Sequence, residues 1–115
     1  MCGITGFISN NHLNKNSMQS IIENMTATLN HRGPDDFSTF FGEDVAASFY
    51  RLSIRDITNN GRQPMLSLSK KKIIVFNGEI YNSKNLKSKI DSSKFSGNSD
   101  TEILINYFEK YKEKS

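Results

Sequence analysis

Apolar positions recur along the chain in patterns that specify its elements. Ile4, Phe7 and Ile8 read as a short buried strand, closed by the polar run Ser9-Asn10-Asn11. Met18, Ile21, Ile22, Met25 and Leu29 follow at helical spacing and predict one amphipathic helix, with Asn16 or Ser17 as its N-cap. His31-Arg32-Gly33-Pro34-Asp35 should stop that helix, because Gly33 suits a left-handed terminator and Pro34 lacks the N–H to continue the ladder.

Phe37, Thr39 and Phe41 alternate with polar neighbours, Gly42-Glu43-Asp44 supplies a turn, and Val45, Ala47 and Phe49 alternate again, predicting a β-hairpin. Its second strand runs on into Arg51-Leu52-Ser53-Ile54-Arg55, and the loop Thr58 to Pro64 follows. Lys72 to Phe76 gives a further strand that ends at Asn77-Gly78-Glu79. Leu86 and Ile90 lie four apart behind Asn82 or Ser83, the spacing of a short helix. After a polar loop over 91–98, Ser99 and Glu102 read as a capping box. The helix it opens has Ile103, Leu104, Tyr107, Phe108 and Tyr111 on one face. The result is a single mixed α+β unit without repeats or linkers.

Composition narrows the classes. At 115 residues the chain supplies one domain at most, and 36% hydrophobic with 23% charged residues is within reach of a soluble protein. The net charge of +3 comes from lysines gathered at Lys70-Lys71-Lys72 and near Lys110, Lys112 and Lys114. These read as a solvated turn and a helix face, so no nucleic-acid partner is expected. One cysteine cannot form an internal disulfide, and no run reaches the length of a membrane span. The cytoplasm is the expected compartment, and no metal site is expected.

Candidate chemistry starts at that cysteine. Cys2 becomes the terminal residue if Met1 is removed, and a terminal cysteine carries a nucleophile and a candidate base together. The competing reading is an inert apolar side chain at the head of a strand. Arg51, at a strand end, suits a carboxylate. Asn77 and Gly78, at a strand exit, suit an oxyanion through a side-chain amide and a backbone N–H. Asp100 stands in the first turn of a helix, where it can either favour the helix dipole or face a ligand ammonium. His31 reads as a structural residue near a helix end. A substrate with an α-carboxylate, an α-ammonium and an acyl group open to attack would use the whole set, and glutamine is such a molecule.

MCGITGF at the start, HRGPD at 31–35, RLSI at 51–54, QPM at 63–65, NGEIYN at 77–82 and SDTEI at 99–103 follow in order. In these motifs the chain resembles the N-terminal glutaminase domain of glutamine-hydrolysing asparagine synthetases, which are class II, N-terminal-nucleophile amidotransferases. The resemblance implies an αββα sandwich of antiparallel sheets, with this chain matching its N-terminal part. It also implies Cys2 as the nucleophile that forms a glutamyl thioester, with Asn77 and Gly78 as the oxyanion hole. Arg51 with Leu52, Ser53, Ile54 and Arg55 would hold the glutamine carboxylate. Glu79 and Asp100 would hold its amino group, and HRGPD would border the pocket.

Phe49 and Tyr50 stand where many relatives carry His and a second polar residue, a change in the wall beside Arg51 that spares Arg51 itself. Arg55 stands where an aliphatic residue is frequent, which leaves the ammonia acceptor open. The synthetase domain, which would use ATP and magnesium, is absent over residues 1–115, and no cofactor is expected in this chain. The expected activity is the glutaminase half-reaction, with L-glutamine and the remainder of an amidotransferase as partners. The alternatives are a non-catalytic truncated chain that binds a partner carrying the rest of the enzyme, and a glutamine-sensing module.

Overall fold

The computed structural model describes residues 2–31, 36–51 and 61–112, divided into two units that meet in sequence at Ile57 and Thr58. Leu52 to Arg55, Arg32 to Asp35 and the end of the chain lie outside the described residues.

In the first unit, β1 (Gly3–Ile8), α1 (Lys15–Ala27), β2 (Asp36–Phe41) and β3 (Val45–Arg51) build one antiparallel sheet of order β1-β3-β2 with α1 on one face. The expected hairpin is β2–β3, closed where Gly42 N–H donates to the Val45 carbonyl at 2.8 Å. Glycine fits at 42 because a Cβ would lie 2.8 Å from Val45 Cγ1. The hairpin register pairs Phe37 with Tyr50, Thr39 with Ser48 and Phe41 with Ala46. The two alternating sets read from the sequence therefore lie on opposite faces. Phe41, Ala46 and Phe7 pack with Met18, Ile22 and Leu13 on the helix side, while Val45, Ala47 and Phe49 share the other face with Ile4 and Ile8. This corrects the reading of β1 as wholly buried: Ile4 is 40% and Ile8 84% exposed, both pointing away from α1.

Helix α1 is capped one turn earlier than expected. Asn14, rather than Asn16 or Ser17, accepts from Ser17 N–H at 2.8 Å. Leu13, just before the cap, packs on the cluster containing Met18, so an apolar staple fixes where the helix starts. The helix ends at Ala27, short of Leu29, and turns follow as far as His31.

The second unit contains β4 (Met65–Leu66), β5 (Ile73–Ile74), α2 (Ser83–Ser88) and α3 (Asp100–Lys112). The strand expected over 72–76 is thus only two residues long, and its partner β4 lies just after the expected loop, in a stretch to which the sequence assigns no element. Lys70 and Lys71 are exposed in the β4–β5 connection.

Helix α3 differs from its expected phase. Its buried residues are Thr101, Glu102, Ile103, Ile105 and Asn106, whereas Phe108 and Tyr111 are 48% and 43% exposed. The inward stripe includes Glu102, Asn106 and Glu109, spaced as neighbours on one helix face. Glu102 accepts from Ser96 N–H at 2.7 Å and Gly97 N–H at 3.0 Å. Asn106 accepts from Leu68 N–H at 2.9 Å, and Glu109 accepts from Ser67 Oγ at 2.8 Å and from Ser69 Oγ. Only half of the expected capping box forms. Ser99 Oγ accepts from Glu102 N–H at 3.2 Å, while the Glu102 carboxylate serves the preceding loop. Among the described residues no helix is long and apolar enough to cross a membrane.

Candidate functional site

Cys2 and Arg51 belong to the first unit and share one end of its sheet. The β1–β3 register ends at Gly3 opposite Tyr50, and Cys2 and Arg51 are the residues that adjoin this last pair. Arg51 in turn pairs with Asp36 of β2. Directly opposed residues of an antiparallel pair have Cβ atoms about 4.5–5.5 Å apart, so the Asp36 and Arg51 side chains leave neighbouring strands on one face. Cys2 and Arg51 are each half-buried.

Gly3 allows the chain to reach that end of the sheet beneath the turn after α1. A Cβ at position 3 would lie 3.3 Å from Leu29 Cβ and 3.5 Å from Tyr50 Cβ. Gly6 is tighter still, its missing Cβ falling 2.8 Å from the Ala46 carbonyl oxygen. Bare backbone at these two positions lets β1 lie close against its neighbours.

Asn77, Gly78, Glu79 and Asp100 belong to the second unit, where the first three are exposed on the segment leaving β5 and Asp100 opens α3. That segment is fastened at both ends. Asp100 Oδ2 accepts from Ile80 N–H at 2.8 Å. Upstream, the buried Gln63 side chain bonds the Phe76 backbone twice: Oε1 accepts from its N–H, and Nε2 donates to its carbonyl at 2.9 Å. The Phe76 ring lies under Gly78, where a Cβ would come within 3.1 Å of Phe76 Cζ. The glycine at 78 therefore answers to close packing, since its φ is not positive.

His31 is exposed in the turns after α1. Asp36 and Gln63 received no individual role from the sequence. Asp36 becomes visible only through strand register, and Gln63 only through its hydrogen bonds, since it stands in a stretch read as loop. Two depressions in the second unit lie elsewhere. One of about 410 Å³ is lined by Arg62, Lys70, Glu102 and Asn106 among others, and an apolar one of about 290 Å³ by Ile73, Ile74, Leu104, Ile105 and Phe108 with Lys72. Neither includes Asn77, Gly78, Glu79 or Asp100. Among the described residues, no cluster of three or more His, Cys, Asp or Glu side chains could hold a metal ion.

Known proteins bear on this arrangement. The chain is 37% identical over 118 residues to asparagine synthetase [glutamine-hydrolyzing] 1 of Bacillus subtilis, a match covering 100% of this chain and 18% of that protein. It is 35% identical over 113 residues to the asparagine synthetase [glutamine-hydrolyzing] of Zea mays, covering 98% of the chain and 19% of the relative. It is also 34% identical over 122 residues to amidase chry2 of Gibberella zeae, covering 96% and 18% respectively. The chain thus spans less than a fifth of the length of these relatives. A family model described as a glutamine amidotransferase domain matches residues 1–115, and the chain belongs to that family.

Proposed function

We propose that this chain carries the glutaminase half-reaction of an asparagine synthetase-like amidotransferase, as the N-terminal part of a class II amidotransferase domain. After removal of Met1, the Cys2 sulfur attacks the side-chain carboxamide carbon of L-glutamine, and the carbonyl π electrons move onto oxygen. The Asn77 amide and the Gly78 N–H stabilise that oxyanion. Collapse of the adduct breaks the C–N bond, and ammonia leaves with a proton relayed through the terminal amine. Water then attacks the γ-glutamyl thioester, with the amine accepting its proton, to give glutamate and the free thiol. Arg51, with the segment through Arg55, holds the substrate carboxylate, and Glu79 and Asp100 hold its ammonium group.

In the αββα sandwich that this reading adopts, the sheet face carrying Ile4, Phe49 and Arg51 is the one a second sheet covers. Delivery of ammonia to an acceptor requires the remainder of the enzyme, with ATP and magnesium used there. The cytoplasm fits the metabolite handled.

The single observation carrying this proposal is the match of residues 1–115 to the glutamine amidotransferase family, supported by the motifs that hold Cys2, Arg51, Asn77, Gly78 and Asp100. Incubation with L-glutamine tests it by following glutamate and ammonia, with Cys2→Ala as control. Release that requires Cys2 is the expected result, and equal release from both proteins would overturn the proposal.

A further inference from the structure

We infer that Gln63 is a positioning residue for the oxyanion-binding pair, through its hold on Phe76. The inference rests on the role proposed above for Asn77 and Gly78. Gln63 is 7% exposed, and its amide pairs with both backbone groups of Phe76, much as a neighbouring strand would. The Phe76 carbonyl and the Asn77 N–H share one rigid peptide plane, so fixing the carbonyl fixes the plane from which Asn77 departs.

Gln63 Nε2 also donates to Thr101 Oγ1 at 3.1 Å. Thr101 adjoins Asp100, which holds Ile80 N–H at 2.8 Å. Residues 77–79 are therefore slung between anchors at 76 and 80, and both anchors are tied to the first turn of α3. The Phe76 ring under Gly78 carries the same restraint to the second oxyanion donor. No apolar side chain of similar size can replace this pairing, because it would leave the half-buried donor and acceptor of Phe76 without their partner.

Displacing oxyanion donors affects the transition state more than the bound substrate, so the effect should fall on kcat. In the intact chain, Gln63→Leu is expected to lower kcat for glutamine hydrolysis about 10- to 100-fold with KM within about twofold. Amide hydrogen exchange at Phe76 and Ile80, whose N–H groups are hydrogen-bonded by Gln63 and Asp100, should rise at least about tenfold, while exchange in α1 stays at the wild-type rate. Gln63→Glu keeps an acceptor for Phe76 N–H but loses the donor when ionised, and its relative kcat should recover as pH falls and the carboxyl gains a proton.

Unchanged exchange at Ile80, or loosening spread evenly over the whole chain, would overturn the inference. Should the wild-type chain release ammonia independently of Cys2, the glutaminase reading falls. The exchange pattern would then still decide whether Gln63 holds this segment.

Discussion

Asp100 Oδ2 accepts a hydrogen bond from the Ile80 backbone N–H at 2.8 Å, joining the start of α3 to the segment that carries Asn77, Gly78 and Glu79. The carboxylate proposed to meet the substrate ammonium is therefore also a structural tether. Substitutions can separate the two duties. Asp100→Asn keeps an oxygen for Ile80 but removes the charge, and should raise KM for glutamine about 10- to 100-fold, in line with about 1.5–3 kcal/mol for a hydrogen bond to a charged group. Asp100→Ala loses both and should also lower the melting temperature below that of Asp100→Asn. Steady-state kinetics and thermal melts on the pair provide the check.

Gly78→Ala probes the close packing over Phe76. The added methyl would sit 3.1 Å from Phe76 Cζ, so the ring or the 77–79 segment must yield by a few tenths of an ångström. A lower kcat for glutamine with a near-normal melting temperature is the expected result. Kinetics and differential scanning calorimetry on one preparation would measure both.

The core of the first unit makes a contrasting forecast. Ile22 is 1% exposed within the cluster of Met18 and Ala46, and Ile22→Ala should cost about 2–5 kcal/mol in urea denaturation. Ile8 is 84% exposed, and Ile8→Ala should change stability by less than about 0.5 kcal/mol.

Glu109 gives a pH dependence. Hydrogen bonds from the Ser69 and Ser67 hydroxyls, with Lys72 nearby, hold its carboxyl below the ordinary value of 4.5, against a smaller opposing effect of burial. A depressed folded-state value means that the stabilisation is present above 4.5 and is lost as pH falls through the folded value. Glu109→Gln should therefore flatten the fall in melting temperature below pH 4.5, leaving a gap from wild type at pH 7 that closes in acid.

The sequence patterns revealed the order of elements well, because helix period, strand alternation and turn residues are local signals. β1, α1, the β2–β3 hairpin and α3 all occur where periodicity set them, within a few residues. Facing was harder to read. Which of two alternating sets met α1 depended on the 41–46 pairing across the hairpin, a relation between strands rather than within one. The phase of α3 was misread because hydrophobic periodicity counts Glu102, Asn106 and Glu109 as outward, whereas loop N–H and hydroxyl groups draw them in. β4 was missed because two residues carry no period. Cys2, Arg51, Asn77, Gly78, Glu79 and Asp100 were nameable from chemistry and motif. The tethers from Gln63 and Asp100 became visible only in three dimensions.

The inward carboxylates and amide of α3 give that helix a keyed seat. Oily surfaces tolerate a slight roll, but Glu102, Asn106 and Glu109 each meet loop donors at fixed directions, and a turn of the helix about its axis would strand them together. Neutral drift should therefore run most freely through the exposed positions of α3, such as Phe108 and Tyr111. Exchanges at these three should survive only with matching changes in the loops around Ser67 and Ser96.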